Sequence, residues 1–145
     1  MRVFREKNRA IFDTLKGMKD SSVAVGFFPE AKYPDGTPVA AVAYSHEFGD
    51  KNRGIPIRPF MRQTIHEKEN GWANKTELLI KSGMGAESVM GQMGAAIRGD
   101  VQDKIVSLMT PANSAATVKR KGFNNPLIDT GHMLKSVSFK TKATA

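Results

Sequence analysis

Asp129 stands in Leu127-Ile128-Asp129-Thr130-Gly131, two apolar residues followed by an Asp-Thr-Gly triplet. Aspartates in such a setting can share a proton with a second carboxylate and activate water. Asp129 lies 16 residues from the C-terminus. That leaves no room for the flap and strands such a centre needs after it. The expectation is therefore that Asp129 or Thr130 caps the next helical turn. His46-Glu47 and His66-Glu67 pair an imidazole with a carboxylate, and His132 is the third histidine. A metal site asks for a second ligand one turn away, as in H-E-x-x-H. Neither pair has another histidine within five residues, so both are assigned to helix ends and ordinary surface, and no metal is expected. Ser107 and Ser114 lack a nucleophile motif, no glycine-rich phosphate loop occurs, and no cofactor is expected. The residues point away from an enzyme. Lys119-Arg120-Lys121, with Phe123, is the remaining cluster. It can hold phosphates or an acidic protein, and it equally suits the cationic end of a short helix.

The elements that position these residues can be read from periodicity and punctuation. Residues 2–18 read as an amphipathic helix, with Phe4, Ile11, Leu15 and Met18 at near-helical spacing. Val23 to Phe28 is β-branched and aromatic, which predicts a buried strand before Pro29. Pro34-Asp35-Gly36 carries turn chemistry. A helix over 38–48 follows, with Thr37 as N-cap, Pro38 in the first position and Gly49 after the end. A second hairpin strand is the alternative there. Ile55 and Arg58 precede prolines and should be extended. Pro59 opens a long helix that buries Phe60, Met61, Ile65, Leu78 and Leu79, with a kink or break at Asn70-Gly71. Residues 86–109 form the clearest helix, through Val89, Met93, Ile97, Val101, Ile105 and Leu108. Gly91, Gly94 and Gly99 inside it suggest that a neighbouring helix or another subunit packs closely there. Thr110-Pro111 stops it, Asn113 caps a short helix over 114–121, Asn124 to Pro126 is a loop, residues 130–134 make one helical turn, and 137–141 alternate as a final strand. The fold class is α+β: a small, mostly antiparallel sheet packed against long helices in one domain over 1–145, with a flexible tail at about 140–145.

The composition fits this reading. The chain has 145 residues, 40% of them hydrophobic and 25% charged, enough for a real core. It has no cysteine, which removes disulfides, thiolate ligands and a thiol nucleophile. No apolar run approaches 18 residues and the N-terminus has no signal-peptide segment, so a soluble protein made in a cytosol is expected, without a membrane partner. The net charge of +8 is uneven: residues 22–50 sum to −3, whereas 51–82 sum to +4 and 111–145 to +5. A plain nucleic-acid binder gathers its charge into one stripe. Alternating blocks also suit copies that meet positive side to negative side.

Four segments, in order, resemble the small tail-completion and neck proteins of tailed bacteriophages. They are Tyr44-Ser45-His46-Glu47-Phe48-Gly49; Ile55-Pro56-Ile57-Arg58-Pro59-Phe60-Met61-Arg62; Pro111 to Gly122; and Pro126-Leu127-Ile128-Asp129-Thr130-Gly131 through Val137. The resemblance runs from about 23 to 140 and spans tail terminators, minor tail protein Z-like proteins and virion morphogenesis proteins. It implies a non-enzymatic virion subunit at the head–tail junction, present in the host cytoplasm during assembly. Copies would form a ring, usually of six, against the tail tube protein and the head-connector or neck proteins. Passing contact with phage DNA in the lumen is possible in such a ring. A basic nucleic-acid-binding module is the alternative reading.

A closed ring joins one face of each copy to a different face of the next. Asp35, Glu47 or Asp50 of one copy is therefore expected near Arg53, Arg58, Lys119, Arg120 or Lys121 of the next, and Arg58 is expected to pair with Glu47 within or between copies. Residues 29–37 and 49–58 are expected to be loops that order on assembly.

Overall fold

The structure, a computed structural model, describes residues 2–108, 112–122 and 131–142. The Asp129-Thr130 cap, Phe123, the 124–126 loop, the Thr110-Pro111 stop and the tail beyond 142 lie outside the described residues. The elements in chain order are α1 (Arg2–Met18), β1 (Ser22–Gly26), α2 (Val39–Phe48), α3 (Phe60–Lys81), α4 (Ala86–Ser107), α5 (Ala115–Lys121), α6 (His132–Ser136) and β2 (Ser138–Lys142). β1 and β2 pair as a two-stranded antiparallel sheet. This is the α+β class. The contacts gather into two compact units, one of residues 1–25, 68–98 and 139–145 and the other of 26–67 and 99–138. The long helices α3 and α4 contribute residues to both.

In the first unit, Val89, Met90 and Met93 of α4 are buried. Gly94 is the glycine whose lack of a side chain matters. An added Cβ would stand 2.8 Å from Cγ of Phe139 on β2, so the strand's aromatic ring lies directly on the helix backbone. Gly91 and Gly99 have nothing within 4 Å of an added Cβ. One glycine of the three therefore marks close packing, and its neighbour is a strand, not a helix or a second subunit. β1 is half-exposed along its length, not buried, because a two-stranded sheet offers only edges. α1 also departs from expectation. Leu15 is exposed, and the buried residue is Thr14, whose hydroxyl donates to the Met84 carbonyl at 2.6 Å. A hydroxyl with a backbone partner can be buried at small cost.

In the second unit, Val39, Ala43, Phe60, Val101, Ile105, Leu108, Met133 and Val137 form the core. α2 is a helix as expected, but Pro38 occupies the N-cap position with φ −62° and ψ 130°, displacing Thr37 by one residue. α3 is unbroken at Asn70-Gly71. Gly71 is exposed there, so its cost is only the roughly 1 kcal/mol of helix propensity. Ile65 and Leu78 are exposed, not core. α5 is capped by Ser114 and not Asn113: its hydroxyl accepts from the Thr117 amide at 3.2 Å, and left-handed Gly122 closes the other end.

Candidate functional site

Glu47 is a carboxylate on the last turn of α2, and it is only 5% exposed. Its Oε2 accepts from the Met61 amide at 2.9 Å, and Oε1 accepts from the Arg62 amide at 3.1 Å and from Arg62 Nε at 2.8 Å. Arg62 Nη2 also donates to the Glu47 carbonyl at 2.8 Å. The first amides of a helix have no intrahelical acceptor, and the helix dipole favours an anion beside them. Glu47 thus supplies from α2 the cap that α3 lacks in its own sequence. The Arg58 amide donates to the His46 carbonyl at 2.7 Å, which ties the chain leaving the loop back to the end of α2. Gly49 turns the chain between them. Its φ is +76°, and an added Cβ would lie 2.9 Å from Ile57 Cγ1 and 3.1 Å from the Ile55 carbonyl. Two of the segments picked out in the sequence, around Glu47-Phe48-Gly49 and Arg58-Pro59-Phe60, are therefore one clamp between α2 and α3.

The clamp presents an apolar surface. Tyr44, Phe48 and Ile57 are 64%, 48% and 55% exposed. The Tyr44 and Phe48 rings lie 4.6 Å apart, and the Arg62 guanidinium stacks over Phe48 at 4.8 Å. Behind them is a shallow, mostly apolar groove of about 280 Å³, whose lining includes Phe27, Ala40, Ala43 and Met61.

A different cavity, of about 540 Å³, lies among α2, the 49–58 loop and α5. Arg53, Arg58, Arg120 and Lys121 line it together with His46, Asn113, Ser114 and Thr117. Arg58 is only 4% exposed and donates from Nη2 to the Ala112 carbonyl at 3.3 Å. Burial lowers its pKa from the ordinary value, though an arginine so shifted stays protonated. His46 Nδ1 is enclosed without a hydrogen-bond partner. Burial first, then the positive charges of Arg58, Lys121 and Arg53, push the imidazole down to about 4. It is neutral at pH 7.

The expected interface residues are thus not equivalent. Glu47 and Arg58 are interior, and they do not pair: Glu47 bonds Arg62 and Arg58 bonds Ala112. Helix geometry alone could not separate Arg58 from Arg62 as the partner. Asp35 and Asp50 remain at or near the surface, but each serves its own loop. Asp35 accepts from the Thr37 amide at 2.9 Å, which holds its carboxyl below the usual range. Asp50 accepts from the Asn52 amide at 3.1 Å and lies 3.9 Å from Arg53 Nη1. Asp50 and Ile55 exchange both backbone hydrogen bonds at 2.8 Å, so the 49–58 segment is a folded turn. Lys119 and Arg120 are exposed and Lys121 is half-exposed. His46, read from sequence as an ordinary helix-end residue, is the lining group that was missed. Its face-sharing with Val39 and Ala43 was the available signal. His66 and Glu67 are exposed, and Glu67 bonds Lys104 at 2.7 Å.

Among the described residues no group of three or more His, Cys, Asp or Glu could hold a metal ion. No described helix is long and apolar enough to cross a membrane. No known family model, curated protein or solved structure matches this chain.

Proposed function

We propose that this chain is a structural subunit of a tailed-bacteriophage head–tail junction, whose copies assemble into a ring of six that joins the tail tube to the head connector, and that it is not an enzyme. The observation that carries the reading is the exposed Tyr44–Phe48–Ile57 surface held on the Glu47 clamp. An aromatic patch fixed on rigid backbone loses little entropy when a second copy covers it. The same two sequence segments that resemble the phage proteins form that clamp, which gives the resemblance a physical reason: a buried acid, a glycine at positive φ and a proline-bounded arginine are each needed to close it. Exposed ion pairs contribute about 0–1 kcal/mol each, so the apolar surface supplies most of the affinity and charge sets register.

Native mass spectrometry and electron microscopy of the purified chain over rising concentration test this. A closed ring that Tyr44→Ser with Phe48→Ser abolishes, with the circular dichroism of the monomer intact, is the expected result. A chain that stays monomeric at all concentrations and instead binds duplex DNA tightly and with steep salt dependence overturns it in favour of the nucleic-acid module.

A further inference from the structure

We propose that the cavity lined by Arg53, Arg58, Arg120 and Lys121 is a binding site for a phosphoryl group, either free or carried on a nucleic-acid backbone. The inference does not rest on ring assembly. Four cationic side chains line one cavity of about 540 Å³, and no acid lines it among the described residues. The acids that the sequence offered as their counterparts are engaged elsewhere. Glu47 holds the start of α3 and Arg62, and Asp35 holds its own turn. Asp50 holds its own loop amides and sits at the long limit of an ion pair with Arg53. Guanidinium groups are planar forks that match phosphate oxygens two at a time, and they are more easily stripped of water than ammonium. The most buried of the four, Arg58, is fixed by a backbone carbonyl and by the hydrogen bond from its own amide. That fixing leaves little entropy to lose on binding. A dianion matches four like charges better than a monovalent carboxylate does. His46 lines the same cavity, uncharged at neutral pH, with Nδ1 enclosed and unpartnered. It can donate to a phosphate oxygen or accept from a protonated one.

The His46 imidazole is a built-in reporter. Its titration is pushed down in part by Arg58, Lys121 and Arg53, so an anion among those charges must raise it. The experiment follows the His46 ring by NMR across pH, with inorganic phosphate, a nucleoside monophosphate and a short DNA duplex titrated in parallel, in the unaltered chain and in Arg53→Glu with Arg120→Glu. Both altered residues are exposed, so the fold should persist and is checked by the remaining amide spectrum. Saturable binding of phosphate, an upward shift of the His46 titration on binding, and at least about a tenfold weakening in the double variant are expected. Duplex binding that is tighter and displaced by phosphate assigns the site to the backbone, whereas no gain with the duplex assigns it to free phosphate. An unmoved His46 titration, affinity unchanged in the double variant, or polyglutamate binding as well as phosphate overturns the proposal.

Discussion

Replacing Glu47 by alanine removes three acceptor contacts at once, and the structure fixes what each loss costs. The Met61 and Arg62 amides would lose the side-chain cap at the start of α3, and an unsatisfied buried donor costs about 1–3 kcal/mol. The Arg62 side chain is 55% exposed and rehydrates easily, so its share is about 0–1 kcal/mol. The expected cost of Glu47→Ala is therefore about 4 kcal/mol, within the range for breaking a buried charged network. In a protein of this size that lowers Tm by about 10 °C, and it is a large part of a total stability of roughly 5–15 kcal/mol. Arg62→Ala should cost only about 1 kcal/mol. Glu47→Gln, which keeps one acceptor oxygen, should fall between. Urea titrations of the single variants and of the Glu47→Ala, Arg62→Ala pair, read by circular dichroism, measure these values and the coupling between the two residues. A Glu47→Ala loss below about 1 kcal/mol, or one equal to that of Arg62→Ala, would refute the clamp. The result also bears on any charge-reversal test of assembly: Glu47→Lys perturbs the fold before it perturbs an interface, so only Asp35, Asp50, Arg53 and Lys119–Lys121 can report on charge matching between copies.

The pH dependence follows from His46. Its folded-state pKa of about 4 lies below the model value of 6.5, so between these values the unfolded chain takes up a proton that the folded chain refuses. Stability is fully present above pH 6.5 and falls by roughly 3 kcal/mol on the way to pH 4; the His46→Gln chain should show a flatter Tm profile in that window, and an unchanged slope would count against the assignment. On α4, Gly94→Ala should destabilise by about 1–3 kcal/mol because Phe139 must shift. Gly91→Ala and Gly99→Ala, with open space around the new methyl, should gain up to about 1 kcal/mol each by helix propensity, and thermal melts of the three variants discriminate these outcomes.

What the sequence disclosed was the part of the fold governed by local chemistry. Helical periodicity located α1, α3 and α4, proline and glycine bounded α2, and alternation located β2. These signals act over a few residues and survive in almost any tertiary setting. The errors fall where the deciding partner is distant in the chain. Leu15, Ile65 and Leu78 are apolar at helical spacing, yet each is exposed, because a two-stranded sheet covers only a small part of the surface three long helices offer. Thr14 is buried because the Met84 carbonyl, far along the chain, meets its hydroxyl. No pattern within α1 could indicate that.

The same distinction explains the charged residues. Sequence blocks of opposite sign suggested that copies attract one another, and the sign of each block was correctly counted. A block average cannot say which carboxylate is already occupied. Glu47 and Arg58 are both conspicuous in the sequence, and both are at most 5% exposed, so the residues most readily chosen as interface groups are the ones least able to serve. Once Glu47 turns to α3, the cations across α5 and the 49–58 loop are left lining a cavity without an acid among the described residues. A mixed-charge chain thereby acquires a local positive site through the internal use of its acids. That site is sequence-encoded only through the spacing that carries Glu47 to the start of α3.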